Sequence, residues 1–247
     1  MNLLTFLLIT TLYFASIVYS TPLGSNNTLT ANTTTAAAYD PSREYHDYST
    51  VQIWMGKNKA AVGDTVGPAL YDIVWRMLEQ HCPVGPNKCN LNSKPGLCFM
   101  TNTLGKYPYP VERTHTCINK IAGEYDTEQI RKLLIGAVAG TLEAMTNQPF
   151  DDVSGMRTNC YDVGGKKGCN VRDTVRVNMP MRNSELTYMH VGLVNGWTTY
   201  GVWDCCTNGK LGKVDKAIDG LGGEIGSVFG QKFTKDSRCI IEGWRAC

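Results

Sequence analysis

The chain has 247 residues and ten cysteines, none of them before Cys82. Its first twenty residues, Met1 to Ser20, carry no Asp, Glu, Lys or Arg. No later stretch approaches the ~18 consecutive apolar residues that cross a bilayer. Blocks of Lys and Arg are missing too: 24 basic residues are interspersed with 22 acidic ones, for a net charge of +2. That balance argues against nucleic acid as a partner, because phosphate backbones are bound by clustered cations. There is no Gly-x-Ser-x-Gly, no His-Glu-x-x-His and no Cys-x2-Cys, and His46, His81, His115 and His190 stand apart. No catalytic motif, metal site or cofactor is therefore expected.

What is present points outside the cell. Met1 to Ser20 is an apolar leader broken by Thr10, Thr11 and Ser16, and Val18-Tyr19-Ser20 puts small or β-branched residues before Thr21. It reads as a cleaved signal peptide covering 1–20. Residues 21–50 are rich in Thr, Asn, Ser and Ala and hold two N-glycosylation sequons, at Asn26 and Asn32. So little apolar surface cannot offset the entropy of ordering, and a disordered glycosylated arm or pro-segment is expected there. An even cysteine count in an exported chain implies paired disulfides among Cys82, Cys89, Cys98, Cys117, Cys160, Cys169, Cys205, Cys206, Cys239 and Cys247. Their connectivity stays open. The adjacent pair Cys205-Cys206 would reach two different elements if that segment is extended.

Residues 51–247 then form the folded domain. An apolar stripe predicts a helix from Asp64 to His81, with Pro68 tolerated in its first turn. Asp126-Thr127-Glu128-Gln129 resembles a capping box that opens a second helix, burying Ile130, Leu133, Leu134, Ala137, Val138, Thr141 and Met145. A third helix is expected from about Lys213 to Phe229, weakened by its glycines. Between the second and third, the period becomes two. Val175, Val177 and Met179 alternate with Arg176 and Asn178, and Glu185 to Val194 and Trp197 to Cys205 flank the hairpin signal Asn195-Gly196. Further strands are expected at Val51 to Met55, Leu97 to Met100 and Arg238 to Trp244. The fold class is α+β: an antiparallel sheet with about three amphipathic helices packed on it, stabilised by disulfides.

Three features could carry function. Gly136 and Gly140 lie one helical turn apart, and Gly222, Gly226 and Gly230 form a second ridge. Such spacing suits close helix packing or, alternatively, a membrane-active helix pair. A two-histidine hydrolase or nuclease would need His115 and His190, with Lys120 or Lys167. Against that, His190 reads as a half-covered strand residue and His115 as loop surface. Trp54, Trp75, Trp197, Trp203 and Trp244 could line a glycan platform, although large rings in such domains more often pack the core.

The layout of leader (Met1 to Ser20), sequon-bearing front (Asn26, Asn32), ten cysteines, Trp203-Asp204-Cys205-Cys206 and the Cys239-to-Cys247 end resembles the secreted killer-toxin precursors of yeasts. It is most similar to the Klus-type toxin and its secreted relatives. The resemblance implies a secreted, extracellular protein that acts without enzymatic chemistry, its partner the cell-wall glycan or plasma membrane of another fungal cell. One departure is that the chain has no Lys-Arg or Arg-Arg pair for processing. Arg131-Lys132 falls in a predicted helix, and Lys166-Lys167 sits in an exposed-looking turn. Either the protein works as a single chain, or it is a relative without toxin activity. Mass mapping of protein from the medium is expected to give a mature N-terminus near Thr21 and no free thiol. Several alkylatable cysteines would overturn that expectation.

Overall fold

A helix whose residues are apolar on every side cannot sit at a surface, and the stretch from Leu133 to Leu142 is apolar all round but for Thr141. In the computed structural model it becomes the centre of the fold. The structure describes residues 50–84, 87–92, 97–104, 110–150, 159–179, 187–195, 213–214, 216, 219, 234–241 and 244–245. Contacts divide the chain into two units, Met1–Ala37 and Ala38–Cys247, and every described residue belongs to the second.

In chain order the elements are β1 (Thr50–Met55), β2 (Lys59–Gly63), α1 (Pro68–His81), β3 (Asn87–Asn92), β4 (Cys98–Leu104) and β5 (Val111–Tyr125). They continue with α2 (Glu128–Thr146), β6 (Cys160–Val163), β7 (Lys166–Arg172), β8 (Thr174–Asn178), β9 (Tyr188–Asn195), β10 (Thr234–Ile241) and β11 (Trp244–Arg245). A large sheet runs β11-β10-β1-β8-β9-β5-β3, with β4 also on β5, and a small sheet runs β2-β7-β6. The α+β class with antiparallel pairing holds throughout except at one place. β1 and β10 pair in parallel, Thr50 opposite Thr234. The two strands are far apart in sequence, so no tight turn dictates their direction.

β5 is the rail of the large sheet. It is fifteen residues long, and Thr116 to Glu124 pair with β9 along one edge. Along the other they pair with β4 (Val111 to Cys117) and then β3 (Lys120 to Tyr125). The inner face alternates as predicted at Val175, Val177 and Met179, all fully buried, and continues through Met189, Val191 and Leu193 of β9.

α2 lies on this face against β5, β8 and β9, touches β7, and is covered in turn by α1. The stripe expected from sequence is buried, and so are Ile135, Gly136, Ala139, Gly140, Leu142 and Ala144 on its other sides. α1 buries only Leu70, Val74 and Leu78. It packs on α2, not on the sheet as expected, because α2 already occupies that face. Burial of each such side chain stabilises the fold by about 1.5–3 kcal/mol.

Helix boundaries differ from expectation for local reasons. α1 starts at Pro68, not Asp64, because Asp64 is turned toward β4 and Gly67 takes a positive φ of 58° ahead of the proline. The cap of α2 is Thr127, whose hydroxyl accepts from the Ile130 N–H at 3.2 Å. The reciprocal half of a capping box is missing because the third helical position is Ile130, not Gln129. Two helices, not three, are formed among the described residues. The third expected helix lies mostly outside them, and only Lys213, Val214, Lys216 and Asp219 are recorded as helical. The strand expected over Trp197 to Cys205 also lies outside. β2, β3, β5, β6 and β7 correspond to no expected strand.

The end of α1 is held by a buried arginine. Arg131 is 1% exposed and donates Nε to Cys82 O (3.1 Å), Nη2 to Glu79 O (2.6 Å) and Nη1 to Glu128 Oε1 (2.7 Å). It thus satisfies carbonyls that a helix C-terminus leaves without partners. Tyr125 Oη donates to Pro83 O at 2.7 Å, and Cys82 is bonded to Cys89 of β3. Arg131→Leu is expected to destabilise the protein by about 3 kcal/mol, since it takes the donor from the buried Cys82 carbonyl and the part-buried Glu79 carbonyl and leaves Glu128 with Lys132 alone, at 3.8 Å. Urea unfolding should show a lower midpoint at unchanged slope; an unchanged midpoint would refute the role.

Candidate functional site: a cleft between the two sheets

β4 lies on an edge of the large sheet, and an open edge offers unpaired N–H and C=O groups. Here Asp64 takes the place of another strand. Its N–H donates to Asn102 O (3.1 Å), and its Oδ1 accepts from Asn102 N–H (2.9 Å). Its Oδ2 accepts from Asn102 Nδ2 at 2.6 Å, and the Thr101 hydroxyl lies 3.0 Å from Oδ1. Partial burial pushes the Asp64 carboxyl up, but the hydrogen bonds from Asn102 and Thr101 outweigh it and hold the group below its ordinary value. Close approach is possible because the preceding residue is Gly63, at φ 56°. A Cβ there would meet Asn102 O at 2.1 Å.

Tyr161 of β6 closes the next stretch of this edge. Burial raises its phenol, and a hydrogen bond from the Leu104 backbone works against that rise while nearby Asp64 adds to it. The ring lies across Gly168, its partner on β7, where a Cβ would fall 2.4 Å from the phenol oxygen. β6 and β7 meet through Gly164-Gly165, both with positive φ (60° and 77°), which is the two-residue turn favoured in hairpins. The turn leaves Lys166 and Lys167 exposed. Lys167 stands 3.8 Å from Asp162 and 5.2 Å from the Phe150 ring centroid.

Together Asp64, Asn102, Thr103, Leu104, Val111, Tyr161, Lys166 and Lys167 line a cleft of about 270 Å³. It offers a carboxylate, an amide, a phenol, two ammonium groups and an apolar wall from Leu104 and Val111. That set can hold a ligand by hydrogen bonds and ion pairing. Among the described residues no group of three His, Cys, Asp or Glu could hold a metal ion.

Of the residues singled out from sequence, Lys166 and Lys167 line the cleft and the others fall elsewhere. Cys82–Cys89, Cys98–Cys117 and Cys160–Cys169 are bonded. Cys205, Cys206 and Cys247, the sequon residues Asn26 and Asn32, and Gly222, Gly226 and Gly230 lie outside the described residues, as does the side chain of Cys239. Gly136 and Gly140 are buried in α2. His115 is in β5, opposite Met100, and not in a loop; it is exposed. His190 is a half-buried residue of β9, as expected, between Ala122 and Arg176. His115 lies seven positions from Ala122 along β5, on the order of 20 Å away at ~3.3 Å per residue. Lys120 is near His190, whereas Lys167 belongs to the small sheet. The two histidines are not brought together.

Of the tryptophans, Trp54 is 3% exposed and belongs to the interior. Trp75 stacks on Tyr71 (centroids 5.8 Å apart) and donates to Glu79 at 3.3 Å. Trp197, Trp203 and the side chain of Trp244 lie outside the described residues. No glycan platform of these rings is assembled among the described residues. Asn102, Thr103, Leu104, Val111 and Tyr161 carry no local signal of a site, although Gly164-Gly165 between Val163 and Lys166 is a readable hairpin signal.

No protein-family model, curated protein or solved structure matches this chain.

His190 provides a test of the sheet's electrostatics. Burial pushes it down to about 4 from 6.5, helped by Lys120 and Arg176. Its folded value is depressed, so the unfolded chain takes up the proton first as pH falls through 6.5. Stability is therefore lost down to about 4 and not beyond. Relative to His190→Gln, the wild type is expected to lose on the order of 3 kcal/mol across that window. Parallel stability curves for the two proteins, measured by urea unfolding at each pH, would refute this.

Proposed function

We propose that this protein is secreted and killer-toxin-like, acting at the wall or membrane of other fungal cells by binding and without covalent chemistry. The observation that carries the reading is the set of three disulfides, each closing a short stretch of chain, with separations of 7, 19 and 9 residues. Such bridges persist in oxidising compartments, which fits the apolar leader and the sequons at Asn26 and Asn32. The hydrolase or nuclease alternative is weakened by the distance between His115 and His190. Among modes of attack, recognition by the folded surface is favoured over insertion of the glycine-ridged helix. α2 is buried along its middle, from Leu133 to Leu142, so its release would open the core. A glycan-binding role has its own support in the cleft beside Asp64, where polar groups face an apolar wall.

The test is growth inhibition. Concentrated medium from cells expressing the chain is expected to inhibit a sensitive yeast and to lose that effect on reduction of its disulfides. A His115→Ala, His190→Ala double variant should retain it fully. Loss of inhibition in a double variant that unfolds at the wild-type midpoint would turn the reading toward an enzyme. Oxidised protein in the medium that inhibits no fungal strain would remove the killer role.

A further inference from the structure

We propose that the cleft between β4 and the β6–β7 hairpin binds a sugar phosphate: Lys166 and Lys167 take the phosphate, and Asp64 and Asn102 take the hydroxyls. The inference rests on the reading of the protein as a binder at cell surfaces and names the chemistry of its site.

Size sets the first limit. At about 270 Å³ the cleft falls below the ~300 Å³ at which pockets for drug-sized ligands begin. It admits one sugar unit, or the end of a chain, and no more.

Charge sets the second. Lys166 is exposed, with no ion pair to it among the described residues, and its neighbour Lys167 is 59% exposed at 3.8 Å from Asp162. Two ammonium groups at the hairpin tip thus face solvent at the mouth. At the other end Asp64 is ionised and fixed, with Oδ2 receiving one bond, from Asn102 Nδ2. A carboxylate oxygen accepts two hydrogen bonds, so Oδ2 retains one place, and the Asn102 amide oxygen is a second acceptor. These acceptors suit hydroxyl donors and repel an anion.

The two ends therefore ask for different groups. Inorganic phosphate alone satisfies the lysines but meets the Asp64 charge if it moves inward. A neutral hexose satisfies Asp64 and Asn102 but adds no counter-charge for Lys166, and leaves Lys167 with Asp162 alone as its carboxylate. A molecule with a phosphate at one end and hydroxyls at the other satisfies both. Leu104 and Val111, the latter 39% exposed, would cover the C–H face of the ring. The same chemistry occurs on a phosphorylated glycan and on an inositol phosphate headgroup.

Binding to the full oxidised protein would be measured by calorimetry at low salt with glucose-6-phosphate, glucose and inorganic phosphate. The same measurement would use phosphatidylcholine vesicles with and without phosphatidylinositol phosphate. Glucose-6-phosphate is expected to bind at least tenfold more tightly than either fragment, with Lys166→Ala, Lys167→Ala lowering its affinity at least tenfold. Both lysines are exposed, so this variant should fold, and its urea midpoint checks that. Asp64→Asn should weaken glucose-6-phosphate while leaving inorganic phosphate unweakened. Stronger response to the inositol lipid than to glucose-6-phosphate assigns the lipid as the source, and the reverse assigns a glycan. Equal affinity for phosphate and glucose-6-phosphate, no effect of the lysine substitutions, or no binding by any probe overturns the proposal. If medium inhibits yeast yet the cleft binds nothing, only the ligand assignment fails; binding without inhibition keeps the site and removes the killer role.

Discussion

The fold depends on one constraint: α2 is surrounded. The large sheet lies on one side, α1 on another and β7 at a third, so the polar groups that α2 turns inward must find partners within the protein, while Gln129 and Lys132 reach solvent. An unsatisfied buried donor or acceptor costs about 1–3 kcal/mol, enough to decide how the ends are built. At the start, Thr127 caps the helix and Glu128 meets Arg131. At the end, the Thr146 hydroxyl bonds back to Glu143 O (2.8 Å) and accepts from the Gly67 N–H (2.8 Å). Both ends thereby reach α1: Arg131 holds its last turn and Thr146 its cap residue, Gly67. The packing of α1 on α2 follows from how the ends of α2 are satisfied as much as from Leu70, Val74 and Leu78.

The same need explains why threonine and asparagine point into the protein where β2 crosses the sheet. The Thr116 hydroxyl donates to Ala61 O (2.7 Å) and accepts from Asn195 Nδ2 (2.7 Å), and the Thr101 hydroxyl is shared between Val62 O (2.5 Å) and Asp64 Oδ1 (3.0 Å). β2 pairs on β7, and these side chains serve further carbonyls of the strand without a second strand beside it. The small sheet is thus docked on the large one by hydrogen bonds as well as apolar contact. The disulfides act more locally. Cys98–Cys117 joins β4 to β5 and Cys160–Cys169 joins β6 to β7, each across directly opposed residues. Loops this short contribute about 2–3 kcal/mol each by restricting the unfolded chain. They hold hairpins together, while the polar seam joins the sheets.

Legibility in the sequence followed the period of apolar residues. α1, α2, β1, β8 and most of β9 carry clear periods, and their existence was readable. β5 did not show because its inward positions Thr114 and Thr116 are polar, serving the seam and not an oily core. β2 hid for a related reason: Lys59 is 4% exposed, against the expectation that lysine marks solvent. The dibasic pair Arg131-Lys132 is placed by its sequence inside a helix, with nothing to say which face each residue takes. Arg131 is buried and bonded to α1, which no local pattern reveals. The cleft was illegible because its parts come from Asp64, the edge at Asn102 and the hairpin at Tyr161 to Lys167. Only the tertiary pairing of two sheets brings them together.

That pairing also gives the cleft its chemistry. An edge strand must be blunted, and here the work falls to a carboxylate and a phenol in place of another strand. Side chains are narrower than a strand, so covering Asn102 and Leu104 in this way leaves open space between the edge and the hairpin. The groups that protect the edge are polar, fixed and only partly used, since a carboxylate accepts more bonds than one residue supplies. The hairpin turn then sets two lysines at the rim because Gly164-Gly165 reverses the chain immediately before them. A requirement of the fold, the closure of β4, thus leaves a preorganised set of acceptors facing a pair of cations. The guest that fits it carries hydroxyls and negative charge at opposite ends.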